Sequence, residues 1–95
     1  MKSINWSPDK NQKLIEERDI SFEDVVYYLQ SGGLLDDVLH PNQGRYRGQR
    51  IFVVSIEEYA YLVPYVESGK EIFLKTVIPS RKATKQYLGV KNEHH

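Results

Sequence analysis

The chain has 95 residues with 13 basic and 13 acidic side chains, is 40% apolar and 12% aromatic, and contains no cysteine. This length favours one domain over residues 1–90, followed by a disordered tail or a tag remnant at 91–95, and the apolar content excludes a disordered chain. The absence of cysteine, of an apolar signal region and of any run of roughly 18–20 apolar residues argues against disulfides, thiolate metal sites and membrane spans, and favours a cytoplasmic protein.

A first helix is predicted over residues 8–18, after a short strand or ordered lead-in at 4–6. Ser7 can cap the first backbone amides of this helix. Pro8 suits the first helical position, because that position needs no backbone donor. The predicted apolar contacts of the helix are Leu14 and Ile15.

A second helix is predicted to start at the segment SFED, residues 21–24. This segment is close to a capping box, in which Ser21 and Asp24 would bond each other's backbone amides. Ser31, Gly32 and Gly33 end the helix, since glycine takes a left-handed conformation at little cost. Four apolar residues share one helical face, namely Phe22, Val25, Val26 and Leu29.

Four strands and a last helix are predicted in the second half of the chain. The strands span 34–40, 50–56, 59–67 and 71–78, and the short turns between the last three favour an antiparallel meander. Pro64 lies within the third of these strands, which indicates an edge or a bulge, because proline cannot donate to the ladder. The last helix begins near Ser80 and runs to about Leu88. The predicted fold class is α+β, with two N-terminal helices, a sheet of about four strands and a C-terminal helix.

The net charge of zero hides an uneven distribution. Residues 1–44 carry four basic and eight acidic side chains, whereas residues 45–95 carry nine basic and five acidic ones. Residues 73–87 contain four basic side chains and no acidic one. Such a separation produces a field that the net charge does not report, so the basic half is a candidate surface for a polyanion.

Two basic clusters stand out within the basic half. The first surrounds the start of the second strand and contains Arg45, Arg47 and Arg50, and the second follows the fourth strand and contains Arg81, Lys82 and Lys85. Arginine offers forked donors to phosphate and lysine a point charge. A simple meander leaves the clusters at opposite ends of the sheet, so a returning helix or a mid-strand residue such as Lys75 is needed to connect them. A solvated loop and a solvated helix face remain the alternative interpretation.

Three tyrosines project from one face of the third strand, namely Tyr59, Tyr61 and Tyr65. If these rings are exposed, they form a stacking platform for bases. A sheet face buried under the helices is the favoured interpretation, since aromatic rings supply much of the core of a small domain.

His40 is a candidate general acid or base, because histidine titrates near neutrality, although His-Pro-Asn equally suits a turn. Asp36 and Asp37 are consecutive on a predicted strand and therefore point to opposite faces, so they do not form a pair of carboxylates. The spacing of the His, Asp and Glu residues predicts no metal site, and the chain has no glycine-rich phosphate loop or nucleophile motif.

The segments at both ends of the chain resemble the BrnT-like toxin family. The N-terminal INWSPDKNQKLIEERDISFEDV resembles that family's Trp-x-Pro-x-Lys element with its following helix and its helix start of Ser-Phe-Glu and then Glu or Asp. The closing IPSRKATKQY resembles the family's strand end, Arg-Lys-Ala element and polar helix. The resemblance covers about residues 4–88, while LLDDVLHPN and YAYLVPYVE depart from the family pattern, which is typical of a divergent member.

The resemblance implies a RelE-like fold and the toxin of a type II toxin–antitoxin pair. It implies a metal-independent endoribonuclease that needs no cofactor and inhibits translation. It also implies a protein antitoxin with a ribbon-helix-helix part, which can assemble with the toxin as a heterotetramer.

The resemblance also implies roles for particular residues. Arg81 matches the closing motif and is the first choice for stabilising the phosphate charge, with Lys82 beside it, and Arg50 matches a basic residue at the start of the second strand. The general acid and base stay open among His40, Tyr46 and Tyr87. The residues expected to contact RNA are Arg45, Tyr46, Arg47, Lys75 and Lys85. The alternative is a non-catalytic module that binds protein or nucleic acid.

Overall fold

Three helices and a mixed β-sheet make up the described part of the chain, which confirms the predicted α+β class. The computed structural model describes residues 2–89. The elements in chain order are β1 (Ser3–Trp6), α1 (Pro8–Arg18), α2 (Phe22–Gln30), β2 (Leu34–Leu39), β3 (Arg50–Ile56), β4 (Tyr59–Ser68), β5 (Glu71–Leu74), β6 (Ile78–Pro79) and α3 (Arg81–Tyr87). The tail predicted at 91–95 lies outside the described residues.

The sheet has the strand order β1-β5-β4-β3-β2. Strands β2 to β5 form the predicted antiparallel meander. The N-terminal strand β1 pairs in parallel with β5, with Ser3 opposite Glu71. The parallel direction is possible because α1 and α2 lie on the long connection that leads from β1 into the meander.

The strand predicted over residues 71–78 is interrupted. Leu74 of β5 lies opposite Tyr65 of β4, whereas Ile78 of β6 lies opposite Leu62. Four residue steps on one strand therefore face three on the other, which makes a bulge. Pro64 lies opposite this interruption, so its missing N–H costs no ladder bond, and its carbonyl accepts from the Lys75 N–H at 2.8 Å. The bulge alternative for Pro64 is confirmed, and the edge alternative is wrong because β4 is a central strand.

Helices α1 and α2 cover one side of the sheet, which we call the α1–α2 side. Their predicted starts are confirmed: the Ser7 hydroxyl accepts from the Lys10 N–H at 3.3 Å, and Ser21 and Asp24 form a reciprocal capping box. Helix α2 contributes Phe22 and Val25 to the core, and Leu14 of α1 is buried beside them. Ile15, the other predicted contact of α1, is 41% exposed, so that prediction is wrong.

The tyrosine face of β4 packs beneath these two helices. Tyr65 is 2% exposed, and Tyr61 packs against the core cluster. Tyr59, the third member of the row, is half-buried. The interpretation of this row as a buried sheet face is thus confirmed, and its rings are not available as a stacking platform.

Helix α3 covers part of the opposite side of the sheet, which we call the α3 side. Ala83 packs there against Val53 and Ala60. The helix is held at its start by the Ser80 N–H, which donates to the Ala60 carbonyl at 3.0 Å. The Thr84 hydroxyl accepts from the Ala60 N–H at 2.8 Å. None of the helices within residues 2–89 is long and apolar enough to cross a membrane.

Candidate functional site

An apolar groove of about 210 Å³ lies on the α3 side of the sheet. Lys82 and Tyr87 of α3 form part of one wall, and Pro41 lies across from them. Its floor consists of Val38, Ile51, Val53 and Leu62. Helix α3 is therefore the returning helix that the sequence required, since it crosses the sheet from β4 to β2 and brings Lys82 and Tyr87 near the loop that follows His40.

Three cations of α3 are available to an anion. Among residues 2–89, no carboxylate lies within ion-pair distance of Arg81, Lys82 or Lys85, whose side chains are exposed. Lys75 precedes α3 on the chain and is also exposed, with its ammonium group 5.8 Å from the centre of the Phe73 ring. These four residues are the four basic side chains of the acid-free segment at 73–87.

The loop over residues 41–49 is organised by the side chains of two amides. Gln43 donates from Nε2 to the carbonyls of His40 and Gln49, at 2.9 Å each, and accepts from the Gly48 N–H at 3.1 Å. Asn42 accepts from the Arg45 N–H at 3.1 Å. The sequence indicated a turn here but not these bonds, which give the loop a defined shape.

One arginine of this loop lies near an aromatic ring. The Arg45 guanidinium lies 5.4 Å from the centre of the Tyr46 ring, and the His40 and Tyr46 rings are 4.3 Å apart. Arg47 is exposed in the same loop. The loop thus presents two arginines beside a half-buried tyrosine, a combination that suits a phosphate next to a base.

The hydrogen bond of His40 narrows its chemical role. Its Nδ1 accepts from the Asn42 N–H at 3.0 Å. The neutral ring therefore carries its proton on Nε2, because the bond at Nδ1 selects the tautomer. Nε2 is then a hydrogen-bond donor, so His40 is better suited to donate a hydrogen bond to an oxyanion than to abstract a proton.

Tyr87 is engaged by a carboxylate of β2. Its hydroxyl donates to Asp36 Oδ2 at 2.6 Å, while Asp36 Oδ1 accepts from the Asp37 N–H at 2.8 Å. The bond to Asp36 raises the pKa of Tyr87, and the bond from Tyr87 lowers the pKa of Asp36. Tyr87 is consequently a protonated donor that anchors the end of α3, and a role as general base would require it to leave Asp36.

Arg50 lies on the α1–α2 side and not with the cations of α3. Its Nε donates to Asp37 Oδ1 at 3.2 Å, and its Nη2 donates to the Asp37 carbonyl at 3.0 Å. The Asp37 carboxylate also accepts from the Tyr65 hydroxyl at 2.8 Å. Hydrogen bonding to Asp37 raises the pKa of Arg50 above its ordinary value. The two basic clusters of the sequence are thus only partly brought together, because β3 points Arg50 to the other face.

The Asp37–Arg50 contact also covers the free edge of β2. The His40 N–H donates to the Gln49 carbonyl, so the backbone N–H and C=O groups of His40, and of alternate residues before it, point toward β3. The backbone groups of Asp37 point outward, away from β3. The outward N–H of Asp37 is bonded by Asp36, and its outward carbonyl by Arg50. Side chains thus occupy the backbone groups at the middle of this edge, where another strand would otherwise pair.

Sequence reasoning did not identify Asp36, Asp37 or Tyr65 as site residues. The prediction that the two aspartates point to opposite faces is confirmed, since one meets Tyr87 on the α3 side and the other meets Arg50 and Tyr65 on the α1–α2 side. The only signal in the sequence for these two aspartates was that they are consecutive carboxylates within a leucine-rich strand. Their partners are 13 to 51 residues away along the chain, so no local pattern identifies them.

A second cavity, of about 240 Å³, lies on the α1–α2 side near Ile56, at the end of β3 opposite to Arg50. Arg18, Asp24 and Glu57 line it together with the rings of Tyr28 and Tyr61. Within residues 2–89, no group of three or more side chains is arranged to hold a metal ion. The cavity contains both signs of charge and does not include any residue of the predicted site.

The chain matches no family model, no curated protein and no solved structure. The resemblance to BrnT-like toxins therefore stays a prediction from the motifs at the two ends of the chain. The groove, the cations of α3 and the loop at 41–49 are the structural features that point to a function.

Proposed function

We propose that this chain is the toxin of a type II toxin–antitoxin pair and acts in the cytoplasm as a metal-independent endoribonuclease. RNA contacts the α3 side. The observation that carries the proposal is the group of cations on and before α3, which have no carboxylate partner among residues 2–89. The BrnT-like motifs at both ends of the chain support the same function.

The cations of α3 suit the charge of a reacting phosphate. Cleavage without a metal requires a base at the 2′-hydroxyl, stabilisation of the pentacoordinate phosphate and protonation of the leaving oxygen. Arg81 and Lys82 are adjacent at the start of α3 and stabilise the phosphate in this proposal. Arg45, Arg47, Lys75 and Lys85 hold the flanking backbone, and Tyr46 supplies a ring for stacking.

His40 is proposed to donate a hydrogen bond from Nε2 to a phosphate oxygen, because the neutral ring carries its proton there when Nδ1 accepts from the Asn42 N–H. A neutral imidazole does not release this proton, so His40 is not assigned as the general acid. Tyr87 anchors α3 through Asp36, so we assign it to positioning. Arg50 likewise positions the edge of β2 through Asp37.

The second candidate function is a non-catalytic module that binds RNA or protein through the same side. It is favoured by the engagement of Tyr87 with Asp36, which removes the one tyrosine of α3 from the candidate bases. It is also favoured by the position of Arg50 on the other face. In this case the α3 side binds an anion without breaking a bond.

Cleavage of a single-stranded RNA by the purified full chain tests the proposal. Arg81→Ala is expected to lower the rate by about 10²–10³-fold, the usual effect of removing one donor to a developing negative charge. EDTA should leave the rate unchanged. Lys13→Ala, at an exposed position of α1, is the matched control and should cleave like the unmodified protein.

The binding of the same RNA, followed by fluorescence anisotropy, separates the two functions. Binding that is weakened by Lys82→Ala, without any cleavage by the unmodified protein, would establish the non-catalytic module. If the unmodified protein neither binds nor cleaves the RNA, both candidate functions are contradicted.

A further inference from the structure

We infer that the groove beside α3 is the docking site for a segment of a partner protein in which an apolar side chain lies next to acidic side chains. The binding depends on the groove alone. Its consequence, competition with RNA for the α3 side, rests on the proposed function.

The chemistry of the groove floor selects an apolar group. Val38, Ile51, Val53 and Leu62 form that floor, and Val38 is 36% exposed at the edge strand. A phosphate would lose its hydration over these side chains without gaining a donor from them. The volume of about 210 Å³ exceeds the roughly 150 Å³ of an apolar cavity that holds benzene, so one or two large apolar side chains fit.

The charge at the rim of the groove selects an acidic neighbour for that apolar group. Lys82 lines the groove, and Arg81 and Lys85 are its neighbours on α3, one residue before it and about one turn after it. Asp36 contacts this wall at Tyr87, whose hydroxyl donates to its carboxylate. An acidic partner segment therefore meets cations that form no ion pair with a carboxylate of residues 2–89, whereas a basic segment is repelled.

The walls of the groove are formed before any partner arrives. Helix α3 is anchored at its start through Ser80 and Ala60, in its middle through Thr84 and Ala60, and at its end through Tyr87 and Asp36. Pro41 begins the loop that the Gln43 side chain holds together. A preformed site loses little conformational entropy on binding, which favours a specific short segment.

Two other occupants are conceivable and are distinguished by experiment. A second copy of the chain offers exposed Ile15 beside Glu16 and Glu17 on α1. A nucleobase is the other, since Tyr87 lies at the wall of the groove. A partner protein is favoured over a nucleobase because the floor of the groove is aliphatic. It is favoured over a second copy because Ile15 lies on a regular helix that also carries Lys13 and Arg18, and these cations would approach Lys82.

Selection of random peptides displayed on phage against the purified full chain tests the inference. We expect enrichment of peptides that carry a large apolar residue next to Asp or Glu. A selected peptide should bind Val38→Arg at least about tenfold more weakly, because the new side chain occupies the groove. Lys82→Glu should shift the enrichment away from acidic peptides. Lys70→Glu, in the exposed turn between β4 and β5, should bind like the unmodified protein.

Methyl NMR of Val38, Ile51 and Leu62 locates the bound peptide and confirms that the variants are folded. The inference is overturned if no peptide class is enriched, or if Val38→Arg and Lys82→Glu bind the selected peptide as the unmodified protein does. It is also overturned if these methyl signals respond to a mononucleotide and not to the peptide, or if they shift with protein concentration alone.

The RNA assay keeps the two proposals apart. A peptide that binds the groove without affecting an active ribonuclease contradicts the competition but leaves the docking site intact. A protein without ribonuclease activity that still binds the peptide contradicts the proposed function alone.

Discussion

The two consecutive aspartates of β2 illustrate how single residues connect the two sides of this sheet. Asp36 accepts from Tyr87 on the α3 side, and Asp37 accepts from Arg50 and Tyr65 on the α1–α2 side. The Asp37 N–H donates to the Asp36 carboxylate, which links the two groups of bonds. One strand position therefore bonds the end of α3, and the next bonds the side chain of Arg50.

Tyr65 gives this arrangement a measurable pH dependence. Burial, with a further contribution from the Asp37 carboxylate, raises the pKa of Tyr65 from 10.0 to about 12. A raised pKa in the folded state means that the stabilisation is complete below pH 10 and is lost as the pH rises toward about 12. We expect the free energy of unfolding, measured with urea, to fall less over this pH range in Tyr65→Phe than in the unmodified chain.

The matched control for Tyr65 is Tyr27→Phe, since the Tyr27 side chain is 64% exposed. This variant should follow the unmodified chain across the same pH range. A parallel decline in Tyr65→Phe and the unmodified chain would show that Tyr65 is not the group responsible.

At the scale of elements, the edge strand β2 combines exposed leucines with a protected backbone. Leu34 and Leu39 are 44% and 58% exposed, which would favour pairing with another chain. Arg50 reaches across the strand and occupies the outward carbonyl of Asp37. The ion pair itself adds little stability at this exposure, so we assign its main effect to covering the edge.

We expect Arg50→Ala to associate in a concentration-dependent manner, because the variant leaves the Asp37 carbonyl free on an apolar edge. Sedimentation velocity at several concentrations measures this. Arg45→Ala removes a cation from the loop without touching β2 and should sediment like the unmodified chain. Equal sedimentation of Arg50→Ala and Arg45→Ala would contradict the proposed covering of the edge.

The connection from α2 to β2 requires glycine at position 33. A Cβ atom there would lie 2.8 Å from the Tyr28 carbonyl oxygen and 3.0 Å from that of Ser55. Both are backbone atoms that cannot move away cheaply, so Gly33→Ala should lower the free energy of unfolding by about 1–3 kcal/mol. Urea unfolding measures the change. Gly44→Ala is the control, since its nearest neighbour would be Asn42 Oδ1 at 3.6 Å, an ordinary contact.

At the scale of the whole molecule, the sheet separates opposite charges. Residues 8–30, which include α1 and α2, carry six acidic and three basic side chains, and residues 73–87 carry four basic and none acidic. The helices of these two segments pack on opposite sides of the sheet. The uneven distribution along the sequence thus becomes a separation in space, with the α3 side facing an approaching polyanion.

This separation predicts how the binding of single-stranded RNA depends on salt. The logarithm of the binding constant should fall linearly with the logarithm of the salt concentration, and each phosphate contact contributes a slope of about −0.7. Lys85→Ala should reduce the slope by about that amount, whereas Lys10→Ala on α1 should leave it unchanged. Fluorescence anisotropy at several salt concentrations measures both. Equal slopes for the two variants would contradict an RNA surface on the α3 side.

The sequence by itself determined most of the elements, because their boundaries depend on local chemistry, although the interruption between β5 and β6 was not among them. Ser7, Ser21 and Ser80 cap the three helices through hydrogen bonds to residues three positions ahead, and such spacings can be read directly. The range of α1 and that of β3 were predicted to the residue, and the buried face of β4 followed from its alternation.

The tertiary structure alone decided which elements distant in the sequence meet. The pairing of β1 with β5 and the return of α3 to β2 join residues more than 50 positions apart, for which no local spacing provides a signal. The side on which each cation lies was also decided there, since neighbouring residues of a strand point to opposite faces and a helix covers only one of them. For this reason Lys82 and Tyr87 share a groove, while Arg50 is held on the far side of the sheet by Asp37.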